Sequence, residues 1–207
     1  MGKVTKNSFI LISLGQTKNF FYLGSIKLAS LIQQQKSLKK LNIAAMGIRD
    51  KGFLKIAESL SQLSLVELDI SSNEITAKAA ESLISSLKNS IGSLQKLNLD
   101  ENELGSSSIK LTPFINFLRE NEFKSLTHLS LKQNQLRKSS VLSLLNSLSS
   151  SFPLLSHLDL NENYLSKSDL EDVYQVLGEG KSFLQSMEDC LTEEDEDEEN
   201  DDDSDEN

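Results

Sequence analysis

The residues that could do chemistry in this chain are few and regularly spaced. Its two histidines, His128 and His157, stand in the matching contexts HLSL and HLDL. If both occupy one position on neighbouring parallel strands, their rings lie ~4.8 Å apart. Imidazoles titrate near neutral pH, so such a pair would form a pH-sensitive contact or part of a partner site. Asp159, two residues beyond His157, would supply a third ligand for a metal. The simpler expectation is two solvated side chains in a ladder, with no metal and no cofactor. Cys190 is the single cysteine, so it can neither close an internal disulfide nor build a zinc site. No Gly-rich phosphate loop, nucleophile elbow or Cys–His pairing occurs in the sequence. The expectation is therefore a protein that is not an enzyme and has no catalytic residue of its own.

What must position the histidines is a repeated pattern, L-x-x-L-x-L-x-x-N-x-L. It is complete at Leu155, Leu158, Leu160, Asn163 and Leu165, and recurs from Leu38, Leu65, Leu94 and Leu126. The period runs from 27 to 32 residues. A worn copy fits Phe9, Ile12 and Leu14, with Thr17 at the Asn position. In L-x-L the two apolar side chains share one face of a short strand. The strand then turns, and Asn73, Asn102, Asn134 and Asn163 fall in that turn. A buried amide is tolerated there if it satisfies backbone groups otherwise left unpaired, so these four are expected to form a structural ladder. Met46 breaks the series.

After each strand the spacing becomes helical, as in Ile56, Ala57 and Leu60, or Ala79, Ala80, Leu83, Ile84 and Leu87. Val141, Leu142, Leu144, Leu145 and Leu148 repeat the stripe. Pro113 predicts a kink or a late helix start in the fourth repeat. Repeats of this length with a helix each imply an α/β leucine-rich-repeat horseshoe of the ribonuclease-inhibitor type. Its parallel sheet lines the concave face and its helices the convex face. Residues 1–187 are read as that domain, with about six repeats, and 188–207 as a disordered acidic tail.

The strand residues flanking the buried pair face the open side. They give Lys40, Glu67, Lys96, His128 and His157 in one column, and Asn42, Asp69, Asn98, Ser130 and Asp159 in the next. Ala44, Ser71, Asp100, Lys132 and Asn161 form the third. The candidate partner surface is Lys40, Glu67, Asp69, Lys96, Asp100, His128, Lys132, His157 and Asp159. A polar face of mixed sign suits a protein rather than an apolar ligand.

The charge divides sharply along the chain. Residues 188–207 hold 14 acidic residues and no Lys or Arg, while the rest carries 17 acidic against 21 basic. The basic excess is spread along the chain, which argues against nucleic-acid binding. The acidic arm, Glu193, Glu194, Asp195, Glu196, Asp197, Glu198 and Glu199, cannot bury apolar area. It serves either solubility or the attraction of basic partners. Thr192 and Ser204 precede acidic residues in the manner of acidophilic kinase sites.

Phe9–Leu14 is too short for a secretory core, Lys6 spoils an N-myristoylation motif at Gly2, and no apolar run spans a bilayer. The expected location is cytoplasmic, at the nuclear envelope or nuclear, without membrane contact. The oligomeric state is open. An end at residue 9 not covered by Phe9, Phe20 and Phe21 would favour self-association.

The helix-bearing repeats with an acidic run after them resemble the Ran GTPase-activating proteins. The resemblance covers about residues 30–200 and is most specific over Phe152–Glu199, FPLLSHLDLNENYLSKSDLEDVYQVLGEGKSFLQSMEDCLTEEDEDEE. That stretch is similar to the family's final repeat, Gly-containing link and acidic junction. The resemblance implies a regulator that accelerates GTP hydrolysis on a Ran-like small GTPase by protein contact, without an arginine finger. It also implies that the acidic arm meets a basic patch on the GTPase. The six repeats match only the C-terminal half of the family's domain. The early-repeat asparagine that assists catalysis has no counterpart here, which points to a truncated or divergent form with weak activity. The alternative is a non-catalytic leucine-rich scaffold whose acidic tail binds basic proteins, comparable in layout to acidic nuclear phosphoproteins that bind histones.

Overall fold

A computed structural model of the chain describes residues 9–11, 21–106, 111–121 and 123–177. Among these described residues, six short strands form one parallel sheet in sequence order: β1 (Phe9–Leu11), β2 (Lys40–Asn42), β3 (Glu67–Asp69), β4 (Lys96–Asn98), β5 (His128–Ser130) and β6 (His157–Asp159). A helix follows each strand: α1 (Phe21–Gln33), α2 (Arg49–Leu60), α3 (Ala77–Leu87), α4 (Thr112–Glu120), α5 (Lys138–Ser151) and α6 (Lys167–Leu177). The fold is an α/β leucine-rich-repeat horseshoe, with the sheet on the concave side and the helices on the convex side.

The repeat pattern dictates the packing. Leu41, Leu68, Leu97, Leu129 and Leu158 pair strand to strand in register and are all buried. The second apolar residue of each L-x-L pair, Ile43 through Leu160, lies beside them in the same core. Each fully buried Leu or Ile is worth ~1.5–3 kcal/mol, so the stacked columns hold the array together. Phe117, Phe123 and Phe152 thicken this core where the longer fourth repeat meets the fifth. Phe117 meets Phe123 edge-on at 5.7 Å, and Phe123 stacks on Phe152 at 5.6 Å.

The first strand corrects the expected frame. Ile10, not Ile12, pairs with Leu41, so the first copy sits two residues earlier than Phe9, Ile12 and Leu14 suggest. A two-residue slip preserves the alternation of a strand, which is why the pattern alone does not fix it. Thr17 and Phe20, and the domain boundary and acidic arm at 187–207, lie outside the described residues.

Helix starts follow local chemistry. The Thr76 hydroxyl accepts from the Lys78 N–H to cap α3, and Asp50 of the preceding repeat receives both the N–H and the hydroxyl of Thr76. Ser166 and Asp169 form a reciprocal capping box at α6. Pro113 lies in the first turn of α4, where its missing N–H is harmless, and that helix starts late, at Thr112. Ser59, Ser86 and Ser147 recur on the buried sides of α2, α3 and α5, each donating to the carbonyl three residues back. Their small volume lets helix and sheet layers approach. The apolar stripes did not announce them. No described helix is long and apolar enough to cross a membrane.

Just past each of β2 to β6, the residue before the ladder position adopts the left-handed conformation. Ala45, Ser72, Glu101, Gln133 and Glu162 all have φ between 53° and 55°. This residue turns the backbone out of the sheet.

Candidate protein-interaction surface

The four ladder asparagines are nearly or wholly buried. Asn73 Oδ1 accepts the N–H groups of Met46 and Ile48, each at 3.2 Å, which completes the turn that has no asparagine of its own. Asn102 Oδ1 accepts from Asn73 N–H (3.2 Å) and Ile75 N–H (3.0 Å); Asn163 Oδ1 accepts from Asn134 N–H (3.0 Å) and Leu136 N–H (2.9 Å). Each amide also donates to carbonyls of its own turn and of the preceding repeat, as Asn163 does to Leu160 and Leu131. One rung is incomplete. Asn134 Oδ1 is buried and accepts nothing among the described residues. It faces the turn of the fourth repeat, the one lengthened to 32 residues.

On the concave face the first column reads Lys40, Glu67, Lys96, His128 and His157 in strand-to-strand register. Lys40 bridges to Glu67 at 2.7 Å. The rings of His128 and His157 lie 5.1 Å apart and tilted by 35°, and Thr127 Oγ1 lies 2.8 Å from His128 Nδ1. Partial burial pushes His128 below the ordinary histidine value, and the charges of Lys96 and His157 push the same way, against Glu67. Among the described residues no group of three His, Cys, Asp or Glu side chains could hold a metal ion, so Asp159 does not join the histidines in a metal centre.

The second column fixes the turn beyond it. The side-chain oxygens of Asn42, Asp69, Asn98 and Asp159 each accept the N–H two residues later, at 2.9–3.1 Å. These Asx turns aim the third column. The Ser130 hydroxyl is engaged elsewhere, and Asp100 of the neighbouring repeat takes over. Its Oδ1 accepts the Lys132 N–H at 2.9 Å and the Ser130 hydroxyl at 2.5 Å. Burial holds the Asp100 carboxyl above its usual range; the bonds from Ser130 and Lys132 oppose this, and the charges of Asp159 and Asp69 add to it. Lys132 bridges to Glu162 at 2.5 Å, which raises its ammonium.

All nine residues expected on the partner surface therefore lie on one face, half-exposed except for the fully open Lys96. The substitution of Asp100 for a missing Asx residue was the signal the sequence hid, because it depends on a neighbour 30 residues away. On the convex side, a groove of about 950 Å³ runs past Tyr22, Leu54, Lys55 and Ser61.

The Leucine Rich repeat family matches residues 62–83. No curated protein matches the chain. Among solved structures, leiomodin-1 actin-binding site 2 is similar with a TM-score of 0.52 and 14% identity, over 78% of this chain and 90% of that one. With the sheet and its stacked repeats, these matches agree with a leucine-rich-repeat fold. The leiomodin likeness, at its low identity, carries the fold alone.

Proposed function

We propose that this leucine-rich-repeat chain is a non-catalytic scaffold that holds a protein partner against its concave face. The observation that carries the reading is the continuous polar face of β2–β6. Its side chains are pre-positioned by their own ladder of bonds, so little ordering cost remains to be met on binding. The acidic arm would recruit basic regions of that partner.

The test is a comparison of partners captured by crosslinking. The parent chain is set beside a concave variant, Lys96→Glu with Asp159→Lys, and a convex variant, Leu54→Ser. The concave variant is expected to lose partners that the convex variant keeps. The reverse pattern would move the site to the helices.

A second reading, regulation of a Ran-like small GTPase, is favoured by the sequence of Phe152–Glu199. Single-turnover GTP hydrolysis on Ran separates the two. Acceleration by the chain supports the regulator; an unchanged rate at large excess leaves the scaffold alone.

A further inference from the structure

The basic residues are scattered in sequence, yet the fold gathers several of them on one edge. The segments joining each helix end to the next strand start are 34–40, 61–67, 88–96, 121–128 and 152–157. Their described residues include six Lys, at 36, 39, 40, 88, 96 and 124, against Glu67. The two histidines begin strands on the same edge. The described residues of the opposite edge, between strand ends and helix starts, include Glu74, Asp100, Glu101, Glu103 and Glu162 against Lys132 and Arg137. Lys36, Lys39, Lys88 and Lys96 are exposed, and none meets a carboxylate among the described residues.

The chain leaves the described structure on this basic edge. Lys138, at the start of α5, bridges Asp169 and Asp172 in the first turns of α6, so the two helices run side by side in the same direction. The end of α6 at Leu177 therefore lies beside the end of α5, where the segment to β6 begins. Ten residues separate Leu177 from the acidic stretch 188–207. Fully extended they reach ~33 Å, while β6 to β2 spans four strand spacings, ~19 Å. The stretch, with its 14 acidic residues, can thus lie along the whole basic edge.

We propose that residues 188–207 dock in cis on the strand-start edge of the same molecule, held by Lys36, Lys39, Lys88 and Lys96. This stretch shields the edge from other acidic ligands and is displaced when something more basic than the edge claims it. The proposal concerns the edge and stands whether or not the concave face binds a partner.

The single thiol, Cys190, lies at the start of the stretch and takes a nitroxide label without any mutation. In the full-length, isotope-labelled chain, paramagnetic loss of amide intensity is expected at residues 34–40 and 88–96 and not on the opposite edge. Raising salt from 0.15 M to 1 M shortens the screening length from ~8 Å to ~3 Å and is expected to restore those signals. The variant K36Q/K39Q/K88Q/K96Q changes only exposed side chains, keeps the core, and is expected to restore them too. Intensity loss that persists in this variant or at 1 M salt overturns the proposal, as does its absence from the basic edge. A mixture of spin-labelled, isotope-free chain with isotope-labelled Cys190→Ser chain tests the cis assignment. Broadening in that mixture means docking between copies and overturns it.

Discussion

Replacing the ladder asparagines one at a time by alanine should not produce a uniform series. In Asn102→Ala, the Ile70, Leu99 and Asp100 carbonyls lose a donor, yet each keeps another: Asn73 Nδ2, Asn134 Nδ2 and the Ser72 N–H respectively. The Asn73 and Ile75 N–H groups lose the acceptor at 3.2 and 3.0 Å and are left buried. A buried unsatisfied donor costs ~1–3 kcal/mol, so the substitution should cost about 2–6 kcal/mol. Asn163→Ala strands Asn134 N–H and Leu136 N–H and also takes the donor from the Leu131 carbonyl, so it should cost at least as much. Asn134→Ala strands no N–H, because its Oδ1 accepts none among the described residues. Its two donor bonds end on carbonyls that keep Asn102 Nδ2 and the Glu101 N–H, so the cost should be about 1 kcal/mol. Urea titration followed by circular dichroism, with a common slope, gives the three values. Equal losses, or a larger loss at Asn134 than at Asn102, would refute the bookkeeping of donors and acceptors.

Three further outcomes follow from the geometry. A Cβ at Gly105 would stand 2.0 Å from Gln135 O and 2.5 Å from its carbonyl carbon, both backbone. Gly105→Ala should therefore cost about 1–3 kcal/mol or more, whereas Gly92→Ala, with open space around it, should stay within about 0.5 kcal/mol on the same titration. Asp100 binds its proton more tightly folded than unfolded, so its contribution is fully present below the unfolded value of 3.8 and is lost as pH rises through the folded one. Asp100→Asn keeps an acceptor and drops the charge; thermal melts should show stability at pH 7 within about 1 kcal/mol of the parent or above it, and the acid-range slope reduced. His128 should titrate below 6.5 by NMR, and Lys96→Gln should raise it by removing a facing positive charge. Because the folded value is depressed, the stability linked to His128 is present above pH 6.5 and is lost as pH falls through the folded value. A titration unmoved by Lys96→Gln would remove Lys96 as a cause.

The frames from Leu38 to Leu165 made five strands, their register and the buried asparagines readable, because periodic burial leaves a direct trace in residue type. The first copy was readable only as a repeat. A slip of two residues between Ile10 and Ile12 leaves the same pattern of apolar and polar positions. The histidine column was legible for the same reason as the strands. Asp100 standing in for Ser130 was not, since it depends on distances across strands. Nor was the charge segregation, because Lys36, Lys88 and Lys96 meet along one edge only once the repeats are stacked.

The left-handed residue beside each rung also bears on how such a surface can diversify. At positions 45, 72, 101, 133 and 162 the backbone admits glycine and asparagine easily, tolerates unbranched side chains at a cost of ~1–2 kcal/mol, and resists Val, Ile and Thr. Under mutation this column should drift slowly, within a narrow alphabet. The neighbouring strand columns, with extended backbone, have no such restriction. New binding specificities would therefore be written in the columns of Lys96, His157 and Asp159, while the turn column stays almost silent.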